Sequence, residues 1–483
     1  MSESPPGILA RRRAGVLLHA TSLPDTEAGA LGQAARSFVD WLAAGGFSVW
    51  QLLPLGPVGA DRSPYYGRSN HAGDPGLVDL TELGAAGDGT NARATREEQL
   101  REAGRKLLEP GGPQAADYSA FLAREAFWLE DYALFTAIQA RESGRPWWEW
   151  PESLRRRDRA ALAAVRTELA AEQAAIEAGQ YFFHVQYRAL KQYAAGKGVY
   201  LFGDIPIYLA PDSVEVWVHP ELFQLGADGR PTAVAGVPPD YFTVDGQLWG
   251  NPLYRWEEHE RTGFSWWIER LRAQFDLFDL VRIDHFRGLE SYWAVPAGAR
   301  TAAAGEWRPA SGAKLLARAR EVFGRLDVVA EDLGVITPEV EQLRDSFGLP
   351  GMRVAQFGFD GNSANLHLPH NWTARSIAYT GTHDNDTTAG WFGSLEPNLR
   401  AAVADYLDAA VADVVPAMTR TLLASVAGLA VVPMQDLLGL GREARMNTPG
   451  TVTGNWSWAL AWSLVPAGLA TSCRRWNELY GRC

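Results

Sequence analysis

The sequence predicts an α/β fold, a (β/α)8 TIM barrel with helical and loop insertions at the C-terminal face of the barrel. Three observations point there. Eight short apolar runs recur along the chain, separated by stretches with helical spacing. The first two runs bracket an amphipathic helix, the pattern of a βαβ unit, which implies parallel strands. Charged residues gather just after several of the later runs, where a barrel mounts its chemistry.

Length and composition agree. The 483 residues exceed one domain of ordinary size, yet a decorated barrel carries such a length around a single core. With 45 Lys and Arg against 57 Asp and Glu the net charge is −12, which argues against nucleic acid or an anionic membrane as partner. Cys473 and Cys483 lack metal-ligand spacing and offer no disulfide framework, as expected of a cytoplasmic protein. Residues 1–13 contain an Arg triplet and no apolar core of a signal peptide, and are expected as a flexible N-terminus. No apolar run reaches the roughly eighteen residues of a membrane span. Nineteen Trp, 15 Tyr and 19 Phe make a heavy aromatic load, mostly core, although exposed aromatic faces also hold sugar rings.

In chain order, residues 15–19 read as the first strand. Leu31, Ala35, Phe38 and Leu42 then mark one face of a helix closed by Gly45-Gly46, and residues 47–54 read as the second strand. The Gly/Pro/Tyr-rich loop 56–75 offers Tyr65 as a sugar platform. From about 83 to 180 an Ala/Arg/Glu-rich stretch is expected as a helical subdomain inserted into the domain 14–483, its tryptophans forming its own core. The helical spacing of Phe182, Val185, Ala189 and Tyr193 leads to the third strand, 199–204, whose Asp204 is expected to orient loops. Residues 205–260, rich in Pro, Gly and aromatics, are expected as a semi-rigid flap over the barrel mouth. The fourth strand begins at 280, the fifth covers 327–331 after a helix ending at Gly324, and 353–357, 376–380 and 429–433 complete the eight.

The ends of strands four, five and seven carry Asp284, Glu331 and Asp384, which such a barrel directs at one pocket. Paired carboxylates are what retaining glycoside cleavage needs: one ionised to attack the anomeric carbon, one protonated beside the leaving oxygen. Asp284, two residues from Arg282, suits the first role. Glu331, longer and with Asp332 behind it, suits the second, its acidity lowered by neighbouring acids. Asp384, between His383 and Asn385, suits gripping ring hydroxyls. Asp332 itself is expected as a brace. A metal site is disfavoured because Arg282 and Arg287 compete for the same carboxylate charge.

Arg-Ile-Asp-His-Phe-Arg-Gly at 282–288, Ala-Glu-Asp-Leu-Gly at 330–334 and Thr-Gly-Thr-His-Asp-Asn-Asp-Thr at 380–387 closely resemble the catalytic motifs of glycoside hydrolase family seventy-seven, the amylomaltases or disproportionating enzymes of the α-amylase clan. The likeness runs through 63–65, 204–208, 237–242, 249–252 and 435–447, the flap and the last segment distinguishing this family from ordinary α-amylases. It implies transfer of α-1,4-glucan segments between maltooligosaccharides or amylose and an acceptor glucan or glucose, with retention and without metal or cofactor. On that mapping Asp284 is the nucleophile, Glu331 the acid/base and Asp384 the transition-state stabiliser. Arg282, His285 and His383 would line the cleaved sugar's subsite, with Tyr65, Asp240, Gln247, Trp249, Asp360 and Asn455 as further glucan contacts. The chain departs from the family pattern at Tyr66, His71, Asp74 and Ala459, positions that bear on acceptor subsites and chain length. A glucan hydrolase using the same acids, or a silent glucan-binding protein, are the alternatives.

Overall fold

The computed structural model of the protein describes residues 7–27, 29–59, 61–83, 95–107, 109, 114–239, 245–451 and 453–483. Twelve strands run through them: β1 (Arg13–Leu17), β2 (Val49–Gln51), β3 (Tyr200–Ile205), β4 (Ala233–Val237), β5 (Gln247–Pro252), β6 (Leu280–Ile283), β7 (Ser291–Pro296), β8 (Glu306–Pro309), β9 (Val328–Ala330), β10 (Gly351–Val354), β11 (Ser376–Tyr379) and β12 (Leu429–Pro433). Eight of them, in the order β10-β11-β12-β1-β2-β3-β6-β9, form one parallel sheet. These are the eight apolar runs of the sequence, buried almost throughout because helices or the barrel interior cover both faces.

The seam between β9 and β10 closes the barrel by unusual means. The Ala330 N–H donates to the Pro350 carbonyl at 2.9 Å, and the Met352 N–H donates to Asp332 Oδ1 at 2.6 Å, so a side chain supplies an acceptor where a strand carbonyl would serve. Gly351 permits this approach: a Cβ there would lie 2.2 Å from Asp332 Oδ2. The sixth strand therefore sits two residues earlier than its sequence pattern suggests, and Ala355–Phe357 turns as a 3-10 helix.

Inside the barrel Leu17, Val49, Phe202, Leu280, Val329, Met352, Ile377 and Leu429 pack together, while Val16, Trp50, Leu201 and Val281, on the opposite faces of their strands, meet the surrounding helices. This is the period-two alternation of strands wrapped around a filled interior.

The inserted region is helical in Arg96–Leu107, Ala115–Arg141, Arg159–Glu168 and Ala170–Gly196. The last of these is one helix of 27 residues that runs through position 180 and delivers the chain to β3. It also fixes the loop after β2. Buried Gln180 exchanges two hydrogen bonds with the Gly73 backbone, both 2.9 Å, and Gln186 does the same with Asp79 at 2.7 and 2.8 Å. Each amide behaves like a short piece of strand, which satisfies loop backbone groups that burial would otherwise leave unpaired.

Two expectations need correction. Residues 7–13 are not a loose terminus: Ile8 is buried, its carbonyl accepts from Arg13 Nε at 2.6 Å, and Arg13 opens β1. The flap region is not all loop either. β4 and β5 pair antiparallel, and β7 and β8, from beyond the fourth barrel strand, complete a second sheet in the order β5-β4-β7-β8. Its strands are short and broken by Gly236, Gly250 and Pro252, and its central pairing, Val234 with Val295, joins residues sixty-one apart, so local pattern gives little sign of it. Among the described residues no helix is long and apolar enough to cross a membrane.

Candidate active site

Strand periodicity builds the site. Phe202, Leu280 and Val329 point into the barrel, so the residues two further on, Asp204, Arg282 and Glu331, share that face one step nearer the C-terminal rim. An apolar layer thus carries a charged layer above it.

Arg282, 4% exposed, is the hub of that layer. Its Nη1 lies 2.5 Å from Asp204 Oδ2 and its Nη2 lies 2.7 Å from Asp284 Oδ1. Burial disfavours its charge, but the two carboxylates outweigh burial and hold the guanidinium protonated far above its ordinary range. Tyr65 donates its hydroxyl to the same Asp204 oxygen at 2.8 Å. Asp204 therefore does orient a loop, as the sequence suggested, and orients Arg282 as well.

Beyond Ile283 the chain leaves the strand. The Asp284 N–H still reaches the Ile205 carbonyl at 3.0 Å, and its side chain stays partly open to the pocket. His285 then adopts a left-handed backbone, φ 49°, which costs a non-glycine residue about 1 kcal/mol. The turn aims the His285 N–H at Glu331 Oε2, 2.6 Å away, while the Leu333 N–H reaches Oε1 at 2.8 Å. Asp284 and Glu331 are thereby tied together through the single residue that follows Asp284.

Burial pushes the Glu331 carboxyl up to about 7; Asp284 adds to the rise, and Arg282 and the two backbone donors oppose it. Asp332, which the sequence reading set behind Glu331 as a neighbouring acid, points elsewhere. It turns away to Arg344 at 2.5 Å and Arg353 at 3.4 Å, and serves the barrel seam.

Asp384 shows the opposite balance. The pocket walls disfavour its charge, but His383, the Asn447 amide and Arg282 together hold its carboxyl well below the usual carboxylate range. His383 Nε2 lies 3.3 Å from its Oδ1, Asn447 Nδ2 donates to Oδ1 at 2.7 Å, and Arg445 donates to its backbone carbonyl at 2.6 Å.

Aromatic rings flank the acids. Tyr65 stacks on His383 with centroids 5.0 Å apart, and Trp456 leans on both at 6.1 and 5.9 Å. On the other side Trp249 meets the His285 ring edge-on at 4.8 Å and donates its Nε1 to Gln247 at 3.0 Å. These contacts set Tyr65 and His383 beside Arg282, Asp204 and Asp384, and link Trp249 and Gln247 to the rim through His285, the residue after Asp284.

Two further candidates stand apart. Asp360 is exposed and accepts from the Asn362 N–H and Asn365 Nδ2, both at 2.9 Å, as a turn brace. Asn455 spends its amide on its own loop, accepting from the Thr448 N–H and donating to the Thr451 carbonyl, and it is its neighbour Trp456 that reaches the pocket. Asp240 lies outside the described residues. Of the positions that depart from the family pattern, His71 stacks on Trp128 at 5.8 Å and Asp74 accepts from the Gly76 N–H at 2.7 Å, both packing or capping roles.

Asn447, Arg445 and Trp456 escape local sequence reasoning because they lie in a loop without periodicity, some sixty residues or more from Asp384. The motif at 435–447 was the available signal for two of them. Among the described residues no group of three or more His, Cys, Asp or Glu side chains is arranged to hold a metal ion.

This geometry can be set beside known proteins. The sequence profile of the 4-alpha-glucanotransferase family matches residues 18–464. A 4-alpha-glucanotransferase of Thermus thermophilus is 50% identical over 473 residues, covering 93% of this chain and 95% of its own length. One from Synechocystis is 42% identical, covering 98% of this chain and 99% of its own. Among solved structures, the amylomaltase from Streptococcus agalactiae in complex with acarbose superposes with a TM-score of 0.93 at 37% identity, over 98% of this chain and all of the other. The rim of acids, the barrel that presents it and the motifs that encode it therefore have one common origin: the chain belongs to the 4-alpha-glucanotransferase family.

Proposed function

We propose that the protein moves α-1,4-glucan segments from a donor maltooligosaccharide or amylose to an acceptor glucan or glucose by a retaining double displacement. Asp284 attacks the anomeric carbon and forms a glucosyl ester while Glu331 delivers its proton to the departing 4-oxygen. The acceptor's 4-hydroxyl then gives its proton back to Glu331 and displaces Asp284, which returns the anomeric configuration to its starting sense. Asp384, kept ionised, grips ring hydroxyls and favours the positively charged transition state.

One observation carries this reading. Two carboxyls of the same rim are driven in opposite directions, Glu331 up to about 7 and Asp384 far down, while Arg282 faces Asp284. Acid chemistry at neutral pH needs that separation. The aromatic walls around Tyr65 and Trp249 favour a sugar acceptor over water by holding its ring in place.

Incubation with maltotriose tests the proposal. A transferase yields glucose together with maltotetraose and longer products; maltose and glucose alone would make the protein a hydrolase, and no turnover would leave it a glucan-binding protein. As part of the same reading, residues 14–483 act as one catalytic unit with the helical region as an insertion, in the cytoplasm, on glucans of the starch or glycogen type.

A further inference from the structure

Arg287 lies three residues beyond Asp284, within the 3-10 turn Phe286–Leu289, and is 7% exposed. It forms no hydrogen bond or ion pair with Asp284 or Glu331. Its Nη1 donates to the Val335 carbonyl at 2.6 Å, in the loop that follows Glu331, and its guanidinium carbon lies 3.9 Å from the centre of the Trp307 ring. That distance is well inside the range of a cation–π contact, which strengthens when the cation is desolvated.

Trp307 belongs to the second sheet. It sits on β8 directly opposite Trp293 of β7, their rings edge-to-face at 5.2 Å. Trp293 is paired with Gly236 of β4, and β4 pairs with β5, which carries Trp249 against His285. The sheet thus grips the turn after Asp284 at two points, through Trp249 on His285 and through Trp307 on Arg287. The same turn donates the His285 N–H to Glu331 Oε2, and the Phe286 N–H to the Glu331 carbonyl at 3.1 Å.

We infer that Arg287 is a positioning residue for the acid/base carboxyl. Clasped between the Val335 carbonyl and the Trp307 ring, it fixes the loop after Glu331 relative to the turn after Asp284. The Glu331 proton then stays directed at the glycosidic oxygen. A misplacement of about 1 Å in such an arrangement costs roughly 100-fold in rate. This inference rests on the acid/base role proposed for Glu331.

The test compares two donors. Maltotriose has a poor leaving group and needs the proton, whereas α-maltotriosyl fluoride expels fluoride with little help from an acid. Arg287→Met is expected to lower kcat on maltotriose about 30- to 100-fold with KM changed less than about 2-fold, while first-turnover fluoride release falls less than about 3-fold. Arg287→Lys, which keeps the charge over the ring, should recover part of the lost kcat. Trp307→Phe should keep most of the activity and Trp307→Leu should lose about 5-fold on maltotriose only. The Trp307 pair also keeps the inference testable if Arg287→Met does not fold. Equal losses on the two donors, or an unchanged kcat on maltotriose, would overturn the inference. Glu331→Gln run in parallel separates it from the reading beneath it. If that variant loses fluoride release as heavily as maltotriose turnover, the acid/base assignment itself fails.

Discussion

Arg282 at the C-terminal rim of the barrel and Arg482 at the opposite end are both buried, 4% and 0% exposed, yet their surroundings differ in kind. Arg282 faces carboxylates, those of Asp204 and Asp284. Among the described residues Arg482 bonds neutral oxygens: the carbonyls of Arg13, Leu423, Ser425 and Ala427, within 2.5 to 3.0 Å, and the Ser425 hydroxyl at 3.3 Å. Burial and the nearby Arg12 bring the Arg482 guanidinium down to about 10, whereas Arg282 is held far above its ordinary range. One end of the barrel concentrates opposite charges beside an open pocket, the other ties off strand ends β1 and β12. Function and closure use the same side chain with different partners.

Asp284→Asn should lower glucan transfer about 10,000-fold or more with little change in melting temperature, measured as glucose release from maltotriose and by calorimetry. A variant that instead unfolds would give Asp284 a structural role like that of Arg482. At the other end Arg482→Ala should cost about 3 kcal/mol in urea unfolding, since several buried carbonyls lose their donor, while the folded fraction keeps its kcat.

Smaller effects sharpen the picture within the rim. Removing the ring of Trp456 should raise KM for maltotriose about 3- to 10-fold, because the stack with Tyr65 and His383 loses one member. Asp360→Ala should change kcat/KM less than about 2-fold, its carboxylate being engaged only with its own turn. A larger effect would return Asp360 to the glucan path.

These two ends also show how much of the molecule could be read in the sequence. The eight barrel strands stand out because strands covered on both faces become continuous apolar runs such as Val328–Ala330 and Leu429–Pro433. Asp284, Glu331 and Asp384 stand out because each follows such a run. The direction of neighbouring side chains does not. Glu331 and Asp332 are adjacent in sequence, yet one faces the pocket and the other the β9–β10 seam, a difference of strand face that reverses their roles. The second sheet is completed only by pairing β4 with β7, partners such as Val234 and Val295 that lie sixty-one residues apart, and the contacts of Asn447, Arg445 and Trp456 with the rim depend on a loop whose path no local pattern dictates.

In the proposed mechanism the rim keeps Glu331 protonated near neutral pH while Asp384 stays ionised. The pH dependence of kcat/KM for maltotriose tests it most directly. In that mechanism the protonated form of Glu331 is the active one, and with burial pushing its carboxyl up to about 7, activity should fall tenfold per pH unit above that value. A profile that stays flat from neutral pH well into the alkaline range would contradict the account.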